Sequence, residues 1–183
     1  MTNPSAQSLI SPSPVDAALL SIQTRLEGLD WLDTAYGRCE KLKREKEGKV
    51  IQFPAIYAQG KEYLELFPDE HLGNFSFFEI VDGWDYSGDI RRVGFNLILW
   101  FNFESVFPDD YQQRNQMDVA EKIIKILEKS YPGSSINLGK IYLTPDEIYR
   151  GYTSREISQQ FLMRPYGGLR ITGNLFVNKH SIC

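Results

Sequence analysis

The sequence predicts an α+β fold in which a single mixed or antiparallel β-sheet is flanked by an N-terminal helix and a central amphipathic helix. Three observations carry that expectation. Val93, Phe95, Leu97, Leu99, Phe101 and Phe103 alternate along one long segment, and a period of two places all six on one face of a strand. Val15, Leu19, Ile22, Leu26 and Leu29 recur at helical spacing, as do Met117, Ala120, Ile123, Ile124, Leu127 and Tyr131, so two helices each have an apolar stripe to bury. Leu169, Ile171, Leu175 and Val177 alternate again near the C-terminus and predict a closing strand.

The elements follow in order. Residues 1–13 are rich in Ser, Pro and Asn and predict a flexible arm, with residues 14–183 forming one α+β domain. Ser13 is placed as the N-cap of the first helix, with Pro14 at its first position and Asp16 near its positive end. A strand-like segment, Trp31 to Tyr36, comes next. Residues 38–49, bracketed by Gly37 and Gly48, then hold six basic and three acidic side chains, which reads as a solvated loop or hairpin tip, or as a projecting arm that touches a partner. Val50 to Pro54 and Glu62 to Phe67 predict short strands, the first ended by a proline that cannot donate to a ladder. Asn74 to Val81 predicts another. After the long strand, Pro108-Asp-Asp110 marks a loop and helix start, and Pro132-Gly133 a helix stop. Ile136 to Leu143 reads as a strand, and Thr144-Pro-Asp-Glu147 as a turn or helix start.

Composition narrows the function. At 183 residues, with 42% hydrophobic and 24% charged content, the chain has enough apolar material for one core. A net charge of −4 speaks against sequence-specific nucleic-acid binding, which needs a concentrated cationic surface. Cys39 and Cys183 sit far apart and in no paired motif, so a reducing compartment is expected. The N-terminus lacks the basic start and apolar run of a signal peptide, and the longest apolar run, Leu97 to Phe101, is too short to cross a bilayer. The expectation is a soluble, cytoplasmic protein.

Chemistry-bearing patterns are sparse. His71 lies beside Asp69 and Glu70 in a turn-like stretch, and His180 and Cys183 have ligand-like spacing without the further ligands zinc requires. Asp82-Gly-Trp-Asp-Tyr-Ser-Gly-Asp89 places Asp82, Asp85 and Asp89 in a Gly-rich connection whose spacing does not match a calcium loop. Phosphate-binding glycine loops and the nucleophile elbow are lacking. No catalytic, cofactor-binding or metal residues are therefore expected, and no cofactor. Arg164-Pro-Tyr-Gly-Gly-Leu-Arg170 is locally specified: Pro165 and the glycine pair force a turn, and Arg164 and Arg170 are placed to meet a carboxylate on a neighbour. Eight acidic residues and no Lys or Arg lie between Glu62 and Asp89. With the basic 38–49 segment they form two complementary patches, which would orient a repeated subunit contact.

This order of elements resembles the tail-terminator and tail-completion proteins of long-tailed phages and prophages. The resemblance rests on the N-terminal helix (Val15 to Leu29), the long strand (Val93 to Phe103), the amphipathic helix (Ala120 to Tyr131) and the Arg-Pro-Tyr turn feeding the closing strand. It implies a small subunit that forms a homo-oligomeric ring, usually of six, at the tail or neck. Its partners would be copies of itself and other tail or head–tail connector proteins, and it would enter the virion where the prophage is intact. The longer middle section, residues 38–49 and 62–89, departs from that pattern. Interface segments are expected in the N-terminal arm, in 38–49 around Lys43 and Arg44, in 82–89 around Asp82, Asp85 and Asp89, and at Arg164 and Arg170. Two other classes stay open: a small-ligand or peptide-binding module with an aromatic groove around Trp84, Tyr86 and Trp100, and a metal-dependent hydrolase using Asp82, Asp85 and Asp89.

Overall fold

A computed structural model describes residues 13–58, 62–129 and 133–178, apart from the side chains of residues 58, 82–84 and 86. The expected arm at 1–13 except Ser13, Pro132 of the expected Pro132-Gly133 helix stop, and the His180–Cys183 pair lie outside the described residues. The chain is α+β. Helix α1 spans Pro14–Leu26, with Ser13 Oγ accepting from the Asp16 N–H at 3.2 Å and Pro14 in its first turn. Strand β1 is Thr34–Arg38. Strands β2 (Glu40–Lys46) and β3 (Lys49–Ala58) form a hairpin, to which β4 (Glu62–Glu65) adds. The hairpin turn uses Glu47 and Gly48 with φ of 52° and 72°, the positive values that match the twist of a two-residue connection.

Strands β5 (Phe75–Ser87) and β6 (Ile90–Asn102) form a second, longer hairpin. A helical turn, α2 (Phe103–Val106), and a 3-10 turn lead to helix α3 (Gln116–Leu127). Strand β7 (Ser134–Tyr142), the short α4 (Pro145–Ile148), two further 3-10 turns and strand β8 (Tyr166–Asn178) complete the chain. The large sheet has the order β1-β5-β6-β8-β7, antiparallel except for β1 against β5.

The expected single sheet is thus two: five strands in one, and β2-β3-β4 in the other. The chain leaves the large sheet after the Cys39 N–H bonds the Phe78 carbonyl, and the charged 38–49 stretch then pairs along β3. Pro54 does not end β3. Gln52, two residues earlier, bonds Thr153 through both backbone groups, and the Pro54 carbonyl accepts from Leu66 N–H. Backbone groups of alternate residues point the same way, so Pro54 faces away from β2 and its missing N–H breaks no bond of that hairpin. Residues 82–87 belong to strand β5 and form no loop. Helix α3 starts six residues beyond Asp110, at a capping box where Asn115 and Asp118 trade backbone bonds, because the 3-10 turn Tyr111–Gln113 fills the interval.

Core placement follows the periodicities. Val93, Phe95, Leu97, Leu99, Phe101 and Phe103 join the stripes of α1 and α3 in one apolar layer, as their alternation predicts. Met117, expected in the α3 stripe, is 42% exposed, and Val119 and Ile126 are buried in its place. The opposite face of β6 is covered too. Ile98 and Trp100 pack with Phe75, Phe77, Leu66, Tyr149 and Phe161 in a second apolar layer under α4, the 3-10 turns and the 66–72 connection. Strand β6 is consequently buried on both faces, and its inward Asn96, 3% exposed, needs a polar partner.

Candidate functional site

That partner is Glu79, the centre of a polar cluster on the second face of the large sheet. Its Oε2 accepts from Asn96 Nδ2 at 2.7 Å and from Arg170 NH2 at 3.1 Å. Its Oε1 accepts from the Tyr152 hydroxyl at 3.1 Å and lies 3.4 Å from Lys41 Nζ. β5, β6 and β8 bring Glu79, Asn96 and Arg170 side by side, and β2 and the segment after α4 lower Lys41 and Tyr152 onto them. Arg170 NH1 also donates to the Arg150 carbonyl, and the Lys41 ammonium sits 4.9 Å from the centre of the Tyr152 ring. Every oxygen of the carboxylate is used, which is the condition for keeping a charge under cover.

The neighbouring acids are held protonated. Burial pushes the Cys39 thiol up to about 12, the Tyr152 hydroxyl 3.6 Å away opposing this. Burial raises the Tyr152 phenol strongly, with the Cys39 and Glu79 charges adding to it, and burial likewise raises Tyr149. A thiol without its thiolate is a poor nucleophile, and a phenol that keeps its proton remains a hydrogen-bond donor. The cluster's chemistry is that of a clamp: one carboxylate ties three strands to two covering segments.

The residues singled out in the sequence fall in separate places. Arg170 does meet a carboxylate, but it is that of Glu79 in the same chain, and the residue is only 9% exposed. Its expected role in contacting a neighbour is corrected accordingly. Arg164 is exposed but also engaged within its own chain, donating to the carbonyls of Tyr111, Gln112 and Arg114 and lying over the Phe103 ring. Arg44 pairs with Glu65 and, at 3.6 Å, with Glu156, above the Phe53 ring. The basic and acidic segments therefore meet within one subunit at this point, across β3, where an encounter between subunits was expected. Lys43 is exposed. Asp85 is exposed opposite Arg92, and Asp89 lies in the β5–β6 hairpin turn with Asp82 at the bulge between Ile80 and Trp84.

The same registers bear on the two alternative classes. Trp84 pairs with Val93 while Trp100 pairs with Phe75, which sets the two positions seven residues or roughly 23 Å apart along the strand. Among the described residues no group of three His, Cys, Asp or Glu side chains is placed to hold a metal ion. Also among them, no helix is long and apolar enough to cross a membrane. The Glu79 cluster itself went unread in the sequence. Its signals were single polar residues inside apolar runs, Glu79 after Phe77-Phe78 and Asn96 within the alternating strand. No protein-family model matches the chain, and no curated protein is significantly similar to it.

Proposed function

We propose that this protein is a non-catalytic structural subunit of a phage or prophage virion, of tail-terminator or tail-completion type. In this reading it forms a ring with copies of itself at the tail or neck. The observation that carries the reading is the open large sheet together with the exposed side chains of two hairpins. Among the described residues no strand covers the outer side of β7, and none pairs with β5 beyond Phe78 on its β1 side. Unpaired strand edges are templates for joining another chain. The hairpins carry exposed apolar side chains where a monomer has no use for them: Val50 near the β2–β3 tip, and Val81 and Ile90 on β5–β6. An open sheet presents different surfaces at its two edges, so a repeated contact joins unlike surfaces, and such contacts close into rings when the rotation per subunit allows. Helices α1 and α3 both pack on one face of the large sheet.

The test is mass in solution, by size-exclusion chromatography with light scattering over a concentration series at two salt concentrations. A closed oligomer of one size supports the reading, six subunits being the number the resemblance implies. A monomer at every concentration, which also fails to join purified tail tubes, counts against it.

A further inference from the structure

At the end of the sheet where Phe75, Asn102 and Tyr166 lie, the surface opens into a cleft of about 170 Å³, far above the ~15 Å³ that one water needs. Trp100, Phe161 and Tyr166 form its aromatic wall, and Asp33, Asp69 and Glu70 its acidic rim. Among the described residues no Lys or Arg pairs with any of the three carboxylates. Asp33 accepts from the Asn74 N–H, Asp69 from the N–H groups of His71 and Leu72, and Glu70 weakly from Gln160 at 3.4 Å. All of these donors are neutral, so none of them offsets the charge of the rim.

A second observation points to a ligand. Trp100 is 3% exposed and its Nε1–H is buried without an acceptor. The Cε3–Cζ3 edge of its ring packs where a Gly168 Cβ would lie, on the β8 side, which leaves the N–H on the ring edge away from β8, and the ring lines the cleft. An apolar ledge flanks the opening, with Leu162 42% and Met163 60% exposed. The cleft thus asks for a chain segment with cationic side chains, an apolar side chain beside them, and a carbonyl for the indole.

The molecule carries such a segment elsewhere. On the β2–β3 hairpin Val50 is 65% exposed and lies opposite Glu45, which puts it on the same face as Lys43. Lys49 adjoins it at the tip. Neither Lys43 nor Lys49 pairs with a carboxylate among the described residues, whereas Arg44 and Lys46 of the same hairpin pair with Glu65 and Glu156. Those bonds, with Gln52 on Thr153, hold the hairpin over the 153–156 segment, which does not line the cleft.

We infer that the cleft bounded by Asp33, Asp69, Glu70 and Trp100 is a socket for the Lys43–Val50 hairpin tip of a second copy of this chain. The inference rests on the assembly reading above and supplies its contact. The tip and the cleft are unlike surfaces, so the contact is head-to-tail. Matching charge would orient the approach, and Val50 against Leu162 and Met163 would bury the apolar part.

The test uses two full-length variants. Lys43→Glu/Val50→Asp spoils the tip and leaves the socket intact. Asp69→Asn/Glu70→Lys spoils the socket while the asparagine retains the acceptor that His71 and Leu72 need. Each alone is expected to raise the concentration of half-assembly at least ten-fold, with unchanged circular dichroism. An equimolar mixture is expected to give a heterodimer and nothing larger, because one intact tip then meets one intact socket. In that mixture the ¹⁵N-labelled tip variant should show a shifted Trp100 indole resonance. Wild-type protein that assembles, with both variants assembling equally well, would overturn the socket and leave the assembly reading standing. A wild type that stays monomeric, both free and with tail tubes, would overturn both.

Discussion

Replacing Glu79 by alanine should be among the most damaging single changes in this protein outside its apolar layers. The side chains of Glu79 and Arg170 are 13% and 11% exposed, so the pair is shielded but not sealed. Removing the carboxylate leaves the Arg170 guanidinium covered with, among the described residues, only the Arg150 carbonyl as a partner. Asn96 Nδ2 and the Tyr152 hydroxyl lose their acceptor as well. Breaking a buried pair from one side costs about 3–5 kcal/mol, and each stranded donor about 1–3 kcal/mol. These overlap in one network and do not add. The residual exposure puts the expectation toward the low end, about 3–4 kcal/mol, or a fall of about 6–16 °C in Tm for a chain of this size. Glu79→Gln, which retains one acceptor oxygen, should lose about half as much. Urea unfolding followed by circular dichroism reads both. In the cycle with Arg170→Ala, the double variant should lose at least about 1 kcal/mol less than the sum of the singles. A loss below about 1 kcal/mol for Glu79→Ala, or additive singles, would refute the clamp.

Three further outcomes follow from local geometry. Gly168→Ala should destabilise by about 1–3 kcal/mol, since its Cβ would run into the Trp100 ring and sit 2.9 Å from the Leu99 carbonyl oxygen; thermal melts measure this. Asn115→Ala removes half of the capping box of α3 and should cost about 0.5–2 kcal/mol, seen as a lower urea midpoint at unchanged slope. Alkaline pH should weaken the fold. The folded Cys39 thiol keeps its proton to about 12 while the ordinary value is 9.0, so between those values the unfolded chain binds fewer protons and stability falls as pH rises. That single group contributes up to about 1.4 kcal/mol per pH unit, and comparing the urea midpoints of wild type and Cys39→Ala from pH 8 to 11 isolates its share.

How much of this was legible beforehand depends on the range of the interaction. The N-cap and stripe of α1, one buried face of β6, and the closing strand were readable because each is written in residues a few positions apart. Val93 to Phe103 needs only its own alternation to declare a buried face. The start of α3 was misplaced because the acids at Asp109 and Asp110 mimic a helix entry that Asn115 and Asp118 in fact make. The stretch from Asp82 to Asp89 reads as a loop from its glycines, yet pairing with β6 holds it extended. Local composition carries no record of what lies alongside.

The sequence by itself determined the α+β class, the apolar faces and the excess of acid over base. Only the tertiary structure decided that β2, β3 and β4 form a sheet of their own. The same holds for Arg44 spending its charge on Glu65 and Glu156, and for Arg170 closing on a carboxylate 91 residues away. It also decided that Asp33, Asp69 and Glu70 share a cleft with Trp100. The reason is physical. Periodicity records which way a side chain faces along its own element, whereas charge pairing depends on strand order and register. Those are settled by the competition of all the apolar faces for one another.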